Sequence, residues 1–234
     1  MKQTFDGRLA LIAPAAAIAE DVLEATLAQL EVLGVHYHLG QHVRARHRYL
    51  AGTPEQRLED LHQAFAMPDI AAVWCLRGGY GCAQLLADID WPLLHQASPR
   101  PLIGFSDLSI MLSAFAQQGL PAIHGPVATA LGHQVLSAPS GQRERLASMQ
   151  ALWDLLKGQH RQLPLRHISG PQHPIDGTLQ GGNLTALASV CGTDAGMRLA
   201  EDAILILEDV GEPYYRLERS LWQLLRSFAG RKPR

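Results

Sequence analysis

Leu102-Ile103-Gly104-Phe105-Ser106-Asp107-Leu108 is an apolar run that stops at a small hydroxyl residue and then continues as a helical pattern. It reads as a buried strand turning sharply into a helix, with Ser106 at the corner. Gly104 leaves room for a tight bend. A hydroxyl at such a corner is held out of the sheet beside the unpaired N–H groups of the helix N-terminus, which is how a serine nucleophile is presented. The alternative is that Ser106 or Asp107 simply caps the helix, because both residue types accept hydrogen bonds from first-turn amides.

The elements around this corner repeat one rhythm. Leu9 to Ala13 reads as a short apolar strand ended by Pro14, and a helix follows from about Ala19 with Leu23, Leu27, Leu30 and Leu33 at helical spacing and Gly34 as its stop. Val35 to Leu39 is a second strand. Thr53-Pro54-Glu55-Gln56 has the form of a capping box and opens a helix carrying Leu58, Leu61 and Phe65. Ile70 to Leu76, apolar almost throughout, suits a strand covered on both faces. It leads into Arg77-Gly78-Gly79-Tyr80-Gly81 and a helix through Leu85 and Leu86, after which the chain passes Asp88-Ile89-Asp90-Trp91 and enters the strand ending at Ser106. Such alternation predicts an α/β fold with a mostly parallel sheet, whose ligands gather at the carboxyl ends of the strands. Both the glycine loop and Ser106 fall at such ends.

Beyond Ala122-Ile123-His124-Gly125-Pro126 the rhythm changes. One helix is expected around Arg143 to Leu156, followed by a polar stretch rich in Pro, His and Gln. The reading is therefore an N-terminal α/β domain over 7–127, a linker region over 128–175 and a second domain over 176–234. The second domain opens with Gly177-Thr178-Leu179-Gln180-Gly181-Gly182-Asn183-Leu184, a strand passing through glycines into a short helix. Ala203 to Leu207 is a strand that ends in Glu208-Asp209. Leu217, Leu221, Leu224, Leu225 and Phe228 mark one face of a final amphipathic helix.

The 234 residues include 47% hydrophobic and 18% charged side chains, the composition of a globular chain. A formal charge of -2 gives no electrostatic argument for nucleic acid or an anionic membrane. The start, Met1 to Asp6, precedes no signal-peptide core, and no apolar run reaches membrane-spanning length. Cys75, Cys82 and Cys191 lack metal-ligand spacing and read as reduced thiols of a cytosolic protein. His36, His38, His42 and His47 read as solvated surface positions.

Each candidate group has more than one use. Gly78-Gly79-Tyr80-Gly81 could approach a phosphate, but the dinucleotide fingerprint is incomplete and a Lys-Ser/Thr pair is missing, which excludes a P-loop. The loop could instead aim a backbone N–H at an oxyanion, or be an ordinary turn. Glu208 and Asp209 either orient an imidazole or form a solvated strand end. His124 is either a base near Ser106 or a hydrogen-bonded structural histidine.

Arg77-Gly78-Gly79-Tyr80-Gly81, Leu86-Ala87-Asp88-Ile89-Asp90-Trp91, Gly104-Phe105-Ser106-Asp107, Gly181-Gly182-Asn183-Leu184 and Leu207-Glu208-Asp209-Val210-Gly211-Glu212, in this order and spacing, closely resemble the LD-carboxypeptidase family of serine peptidases. Arg57-Leu58-Glu59-Asp60-Leu61 and Tyr215-Arg216-Leu217-Glu218-Arg219 extend the match to essentially the whole chain. The resemblance implies an amidotransferase-like N-terminal domain joined to a smaller β-rich domain, usually in a homodimer. It implies a cytoplasmic hydrolase of murein recycling that removes the terminal D-alanine from a muropeptide tetrapeptide by cutting an L,D bond. Microcin-inactivating peptidases belong to the same family. By motif, Ser106 is the nucleophile, Glu208 is the acid of a Ser-Glu-His triad, and the backbone amides of Gly79 and Asp107 form the oxyanion hole. No metal, other cofactor, nucleic acid or membrane partner is implied.

The family's triad histidine lies after the final helix, and here no histidine follows His173. Either the C-terminal domain is incomplete and truncated or the triad is completed in some way the sequence does not show; the expectation is part of the final apolar stripe facing solvent and negligible activity for this span, since a serine hydroxyl without a base is a poor nucleophile. The competing expectation is a non-catalytic module that holds a peptide or nucleotide in the same cleft.

Overall fold

A computed structural model describes residues 7–97, 99–136, 142–159, 162, 165–170 and 173–234. The reading of Met1 to Asp6, and part of the polar stretch before 176, lie outside the described residues. In chain order the elements are β1 (Arg8–Ile12), α1 (Glu20–Val32), β2 (Tyr37–Leu39), α2 (Pro54–Ala66), β3 (Ile70–Cys75), α3 (Trp91–Gln96), β4 (Leu102–Gly104), α4 (Leu108–Gln117), β5 (Ala122–His124), α5 (Ala130–Leu136), α6 (Gln142–Leu156), β6 (Thr178–Asn183), α7 (Leu184–Ser189), β7 (Ala203–Glu208) and α8 (Tyr214–Ser227).

β1 to β5 form one all-parallel sheet in the order β2-β1-β3-β4-β5. This is a doubly wound arrangement whose strand order reverses between β1 and β3, so the loops leaving those two strands border a crevice at the carboxyl edge. Because helices cover both faces, the central strands are apolar on both sides: Leu9, Leu11, Trp74 and Ile103 pack with α1, α5 and α6 residues in one cluster, and Ala10, Val73, Cys75 and Leu102 pack with α2 and α4 residues in the other. The Thr53 capping box is formed, with Gln56 N–H donating to Thr53 Oγ1 and Thr53 N–H donating to Gln56 Oε1.

Three expectations change. The helix expected through Leu85 and Leu86 is two short 3-10 turns, Cys82–Gln84 and Leu86–Asp88, because the Cys82 N–H donates to the Asp107 carboxylate rather than to a preceding turn. The stretch after Asp90 is not strand but α3: Asp90 Oδ1 accepts from Leu93 N–H, and Pro92 occupies the first turn, where its missing N–H costs nothing. His42 is not a free surface group, since its Nε2 lies 2.9 Å from Glu59 Oε2.

Two helices follow β5: α6 where a helix is expected around Arg143 to Leu156, and α5 ahead of it. α5 lies against α1 so closely that a Cβ on Gly132 would stand 2.5 Å from both Thr26 Oγ1 and Val22 O. α6 buries Met149, Leu152 and Trp153, with Trp153 edge-on to Trp74 at 5.4 Å between ring centres. Past the linker, β6 and β7 make a separate two-stranded parallel sheet, and α7 and α8 enclose a small core of Leu184, Leu187, Leu199, Leu224 and Phe228. On α8, Trp222 is 62% exposed and Leu221 and Leu225 are also exposed, so only part of that helix's apolar stripe is covered. Among the described residues no helix is long and apolar enough to cross a membrane.

Candidate active site

Ser106 follows β4 and precedes α4 with φ 65°, the left-handed region that a side chain disfavours by about 1–3 kcal/mol. The corner is over-determined by its neighbours. A Cβ on Gly104 would stand 2.6 Å from Leu108 Cβ, so β4 and α4 meet there only because that position is glycine. A Cβ on Gly78 would stand 2.8 Å from Phe105 O and 3.0 Å from Ser106 Cβ, so the glycine loop after β3 lies directly against the serine.

Among the described residues neither Ser106 nor Asp107 caps α4 with its side chain. Buried Asp107 instead turns towards the glycine loop, where its Oδ2 accepts from Cys82 N–H at 2.9 Å. The capping alternative is thereby replaced by a tie between the serine corner and the loop. Gly79 has φ 112° and backs onto Ala16, whose own N–H donates to Gly78 O. Among the described residues, neither the Gly79 amide nor the Asp107 amide donates to a protein acceptor. Two unused N–H groups thus lie beside a half-buried serine, and a site of this kind suits a developing oxyanion.

Glu208 ends β7, and the second sheet is anchored to the first domain at this point. Asn183 N–H donates to Ser109 Oγ at 2.8 Å, one helical turn along α4 from the serine, and a Cβ on Gly182 would stand 2.6 Å from the same oxygen. Asn183 also caps α7 through Oδ1 and donates from Nδ2 to Asp209, whose Oδ2 accepts from the Thr185 amide and hydroxyl. This network fixes the end of β7. It holds Glu208 opposite His124, the last residue of β5, with His124 Nε2 at 3.5 Å from Glu208 Oε1. The His124 ring also packs on Phe105 at 5.2 Å between ring centres.

Glu208 Oε1 is buried and accepts no hydrogen bond. Burial raises the Glu208 pKa above the ordinary carboxylate value and Asp209 adds to the rise, while Asn183 pulls the other way. Burial lowers the His124 pKa. Both shifts favour the neutral forms, so burial disfavours a charged Glu208–His124 pair.

The four residues singled out from sequence fall in two places. Ser106, Gly79 and Asp107 come together, and Glu208 meets His124 beside Phe105. The sequence reading missed Ser109 and the reach of the Asp107 side chain. A signal for Ser109 existed, since it is a second hydroxyl in the first turn of the helix that Ser106 leads into. Cys75 and Cys82 are free, buried thiols, and burial pushes both upward in pKa. Among the described residues no group of three or more His, Cys, Asp or Glu side chains could hold a metal ion.

The chain is similar to known proteins along both of its sheets. Residues 9–125 match the LD-carboxypeptidase N-terminal domain and residues 176–232 match the LD-carboxypeptidase C-terminal domain. The chain is 66% identical over 230 residues to a murein tetrapeptide carboxypeptidase of Pseudomonas aeruginosa, covering 98% of this chain and 75% of that protein. Its structure matches a muramoyltetrapeptide carboxypeptidase from Oxalobacter formigenes with a TM-score of 0.81 at 29% identity, covering 94% of this chain and 72% of the other. An MccF-like protein from Bacillus anthracis shares the fold, with a TM-score of 0.77 at 21% identity over 97% of this chain and 76% of its own. With matches to both of the family's domains and a relative this similar along nearly all of the present chain, the protein belongs to the LD-carboxypeptidase family.

Proposed function

We propose that the protein is a serine carboxypeptidase that releases the terminal D-alanine from murein tetrapeptide, at its L,D bond, in cytoplasmic peptidoglycan recycling. The observation that carries this reading is the pair of unused amides, Gly79 and Asp107, flanking a strained serine. Ser106 Oγ attacks the carbonyl carbon of the scissile bond and gives up its proton to a base. The carbonyl oxygen, now an oxyanion, takes hydrogen bonds from the two amides. Collapse breaks the C–N bond, and D-alanine leaves as the amine carrying a proton. Water then attacks the acyl-serine, releasing the shortened peptide and restoring the hydroxyl.

The base is an imidazole oriented by Glu208. The histidine that meets Glu208 within these residues is His124. Its Nε2 faces the carboxylate, and Gly182 adjoins its Nδ1, where a Cβ would stand 3.5 Å away. As placed, His124 serves Glu208 rather than Ser106, so turnover by these 234 residues is expected to be slow. Homodimeric assembly belongs to the same reading. The exposed Leu221, Trp222 and Leu225 of α8 supply apolar surface for it, and light scattering tests it.

The test uses protein in excess over murein tetrapeptide, so that slow turnover registers, with mass spectrometry of the products. D-alanine release supports the reading. Tight muropeptide binding with no release at any pH would leave a binding module, and binding of a nucleotide in its place would count against both.

A pH profile adds a second check. Glu208 must be ionised to orient an imidazole, and its raised pKa places the acid limb of kcat/KM above the ordinary carboxylate range. Asp209→Asn removes a negative charge that raises that pKa, so the limb should move to lower pH. For folding the signs oppose. The Glu208 contribution is present at low pH and lost as pH rises through its folded pKa, whereas the His124 contribution is present above its unfolded pKa and lost as pH falls through the folded one. A limb that stays fixed in Asp209→Asn would assign it to another group.

A further inference from the structure

Beneath the glycine loop lies a buried cation that the steps above do not use. Arg57, on the first turn of α2, is 1% exposed. Its Nη1 donates to Pro14 O at 2.8 Å and to Gly81 O at 3.0 Å, and its Nη2 donates to Gln84 Oε1 at 2.9 Å. A Cβ on Gly81 would stand 2.8 Å from Nη1, so the guanidinium lies flush against the loop backbone. Nε is buried without a partner.

The two carbonyls that Nη1 joins belong to the two walls of the Gly79 segment. Pro14 leads into Ala16, against which Gly79 rests and whose N–H binds Gly78 O. Gly81 ends the loop on its other side, next to Cys82 and its tie to Asp107. One planar fork thus fixes the spacing between the strand-β1 loop and the strand-β3 loop, on either side of the crevice where the sheet order reverses. Lysine has no such fork and reaches two fixed carbonyls poorly.

Stability is a weak reason for this arrangement. Removing a guanidinium from water costs several kcal/mol, and apolar side chains of similar volume often replace buried charges without loss. Burial indeed pulls the Arg57 pKa below the ordinary arginine value. Among the described residues no carboxylate stands within ion-pair distance of it; Asp107, one of the acids that act on its charge, spends its Oδ2 on Cys82 N–H. A positive charge that no carboxylate contacts directly is therefore held against the backbone of the glycine loop.

We propose that Arg57 is a positioning residue for hydrolysis, holding the Gly78–Gly81 loop so that the Gly79 amide stays aimed at the oxyanion. The proposal rests on the carboxypeptidase reading and adds to it a residue that never touches substrate. Its effect falls on the transition state and not on ground-state binding.

The experiment measures D-alanine release and the affinity of a peptide boronate, which forms a tetrahedral anion on the serine, for wild type, Arg57→Lys and Gln84→Leu. Arg57→Lys keeps the charge and loses the fork. It should lower kcat about 100-fold, the scale of a small misplacement, with KM within about threefold and boronate affinity falling in parallel. Gln84→Leu removes only the Nη2 acceptor, at an exposed position. It should lower kcat about fivefold with the same parallel loss of boronate affinity, and it decides the matter if Arg57→Lys fails to fold. A folded Arg57→Lys with kcat and boronate affinity within about threefold of wild type would overturn the proposal, as would losses confined to KM. Wild-type protein that releases no D-alanine and binds no boronate would remove the underlying reading, and the proposal with it.

Discussion

With a general base in reach of the serine, Ser106→Ala is expected to reduce D-alanine release by a factor on the order of 10⁴ to 10⁶, to the level left by binding and the two amides alone. The substitution removes one oxygen at a half-buried corner, and the fold should tolerate it. Ser106 Oγ makes no hydrogen bond among the described residues, and alanine in the left-handed region is no larger than serine. Muropeptide affinity should stay within a few-fold, because the crevice walls do not change. Mass spectrometry of the products, paired with calorimetric binding, separates the two effects. Release that persists in this variant at a comparable rate would show that the nucleophile lies elsewhere.

Glu208→Gln is expected to lower kcat by about 10³- to 10⁴-fold with little change in KM. Glutamine matches the shape of the carboxylate but neither carries its charge nor fixes the same imidazole tautomer. The variant should be at least as stable as wild type at neutral pH. Burial raises the Glu208 pKa, so the ionised carboxylate is the costly form in the fold, and a neutral amide avoids that cost. Thermal unfolding together with kcat therefore distinguishes a loss of catalysis from a loss of structure. A variant that loses stability and activity in step would make Glu208 a structural residue at the end of β7.

What was legible in the sequence was the part governed by local rules. The Thr53 capping box acts over three residues, and the strand-to-helix corner at Ser106 is set by Gly104 and by the change of period around it. Apolar strands covered on both faces announced the parallel sheet. The helix α3 followed the same local chemistry, with Asp90 as cap and Pro92 in the first turn, and was missed because the apolar residues around it suggest a strand. What was not legible was the pairing of distant groups. By local logic Asp107 is a helix cap, yet its carboxylate finds a better donor in the buried Cys82 amide, since an unmet buried N–H is costly and the first amides of α4 already donate to the Phe105, Ser106 and Asp107 carbonyls. His124 and Glu208 meet only because β5 ends the first sheet where β7 ends the second, and the Ser109–Asn183 bond joins the two domains at that level. Nothing within a few residues of either side chain signals the other.

The central claim is that Ser106 is acylated. The most direct measurement quenches the protein in acid during reaction with murein tetrapeptide, digests it, and identifies by mass spectrometry which peptide carries the acyl group left after D-alanine departs. The adduct is expected on the peptide containing Ser106 and should be absent from Ser106→Ala. An adduct on any other peptide, or one that survives unchanged in Ser106→Ala, would contradict the account.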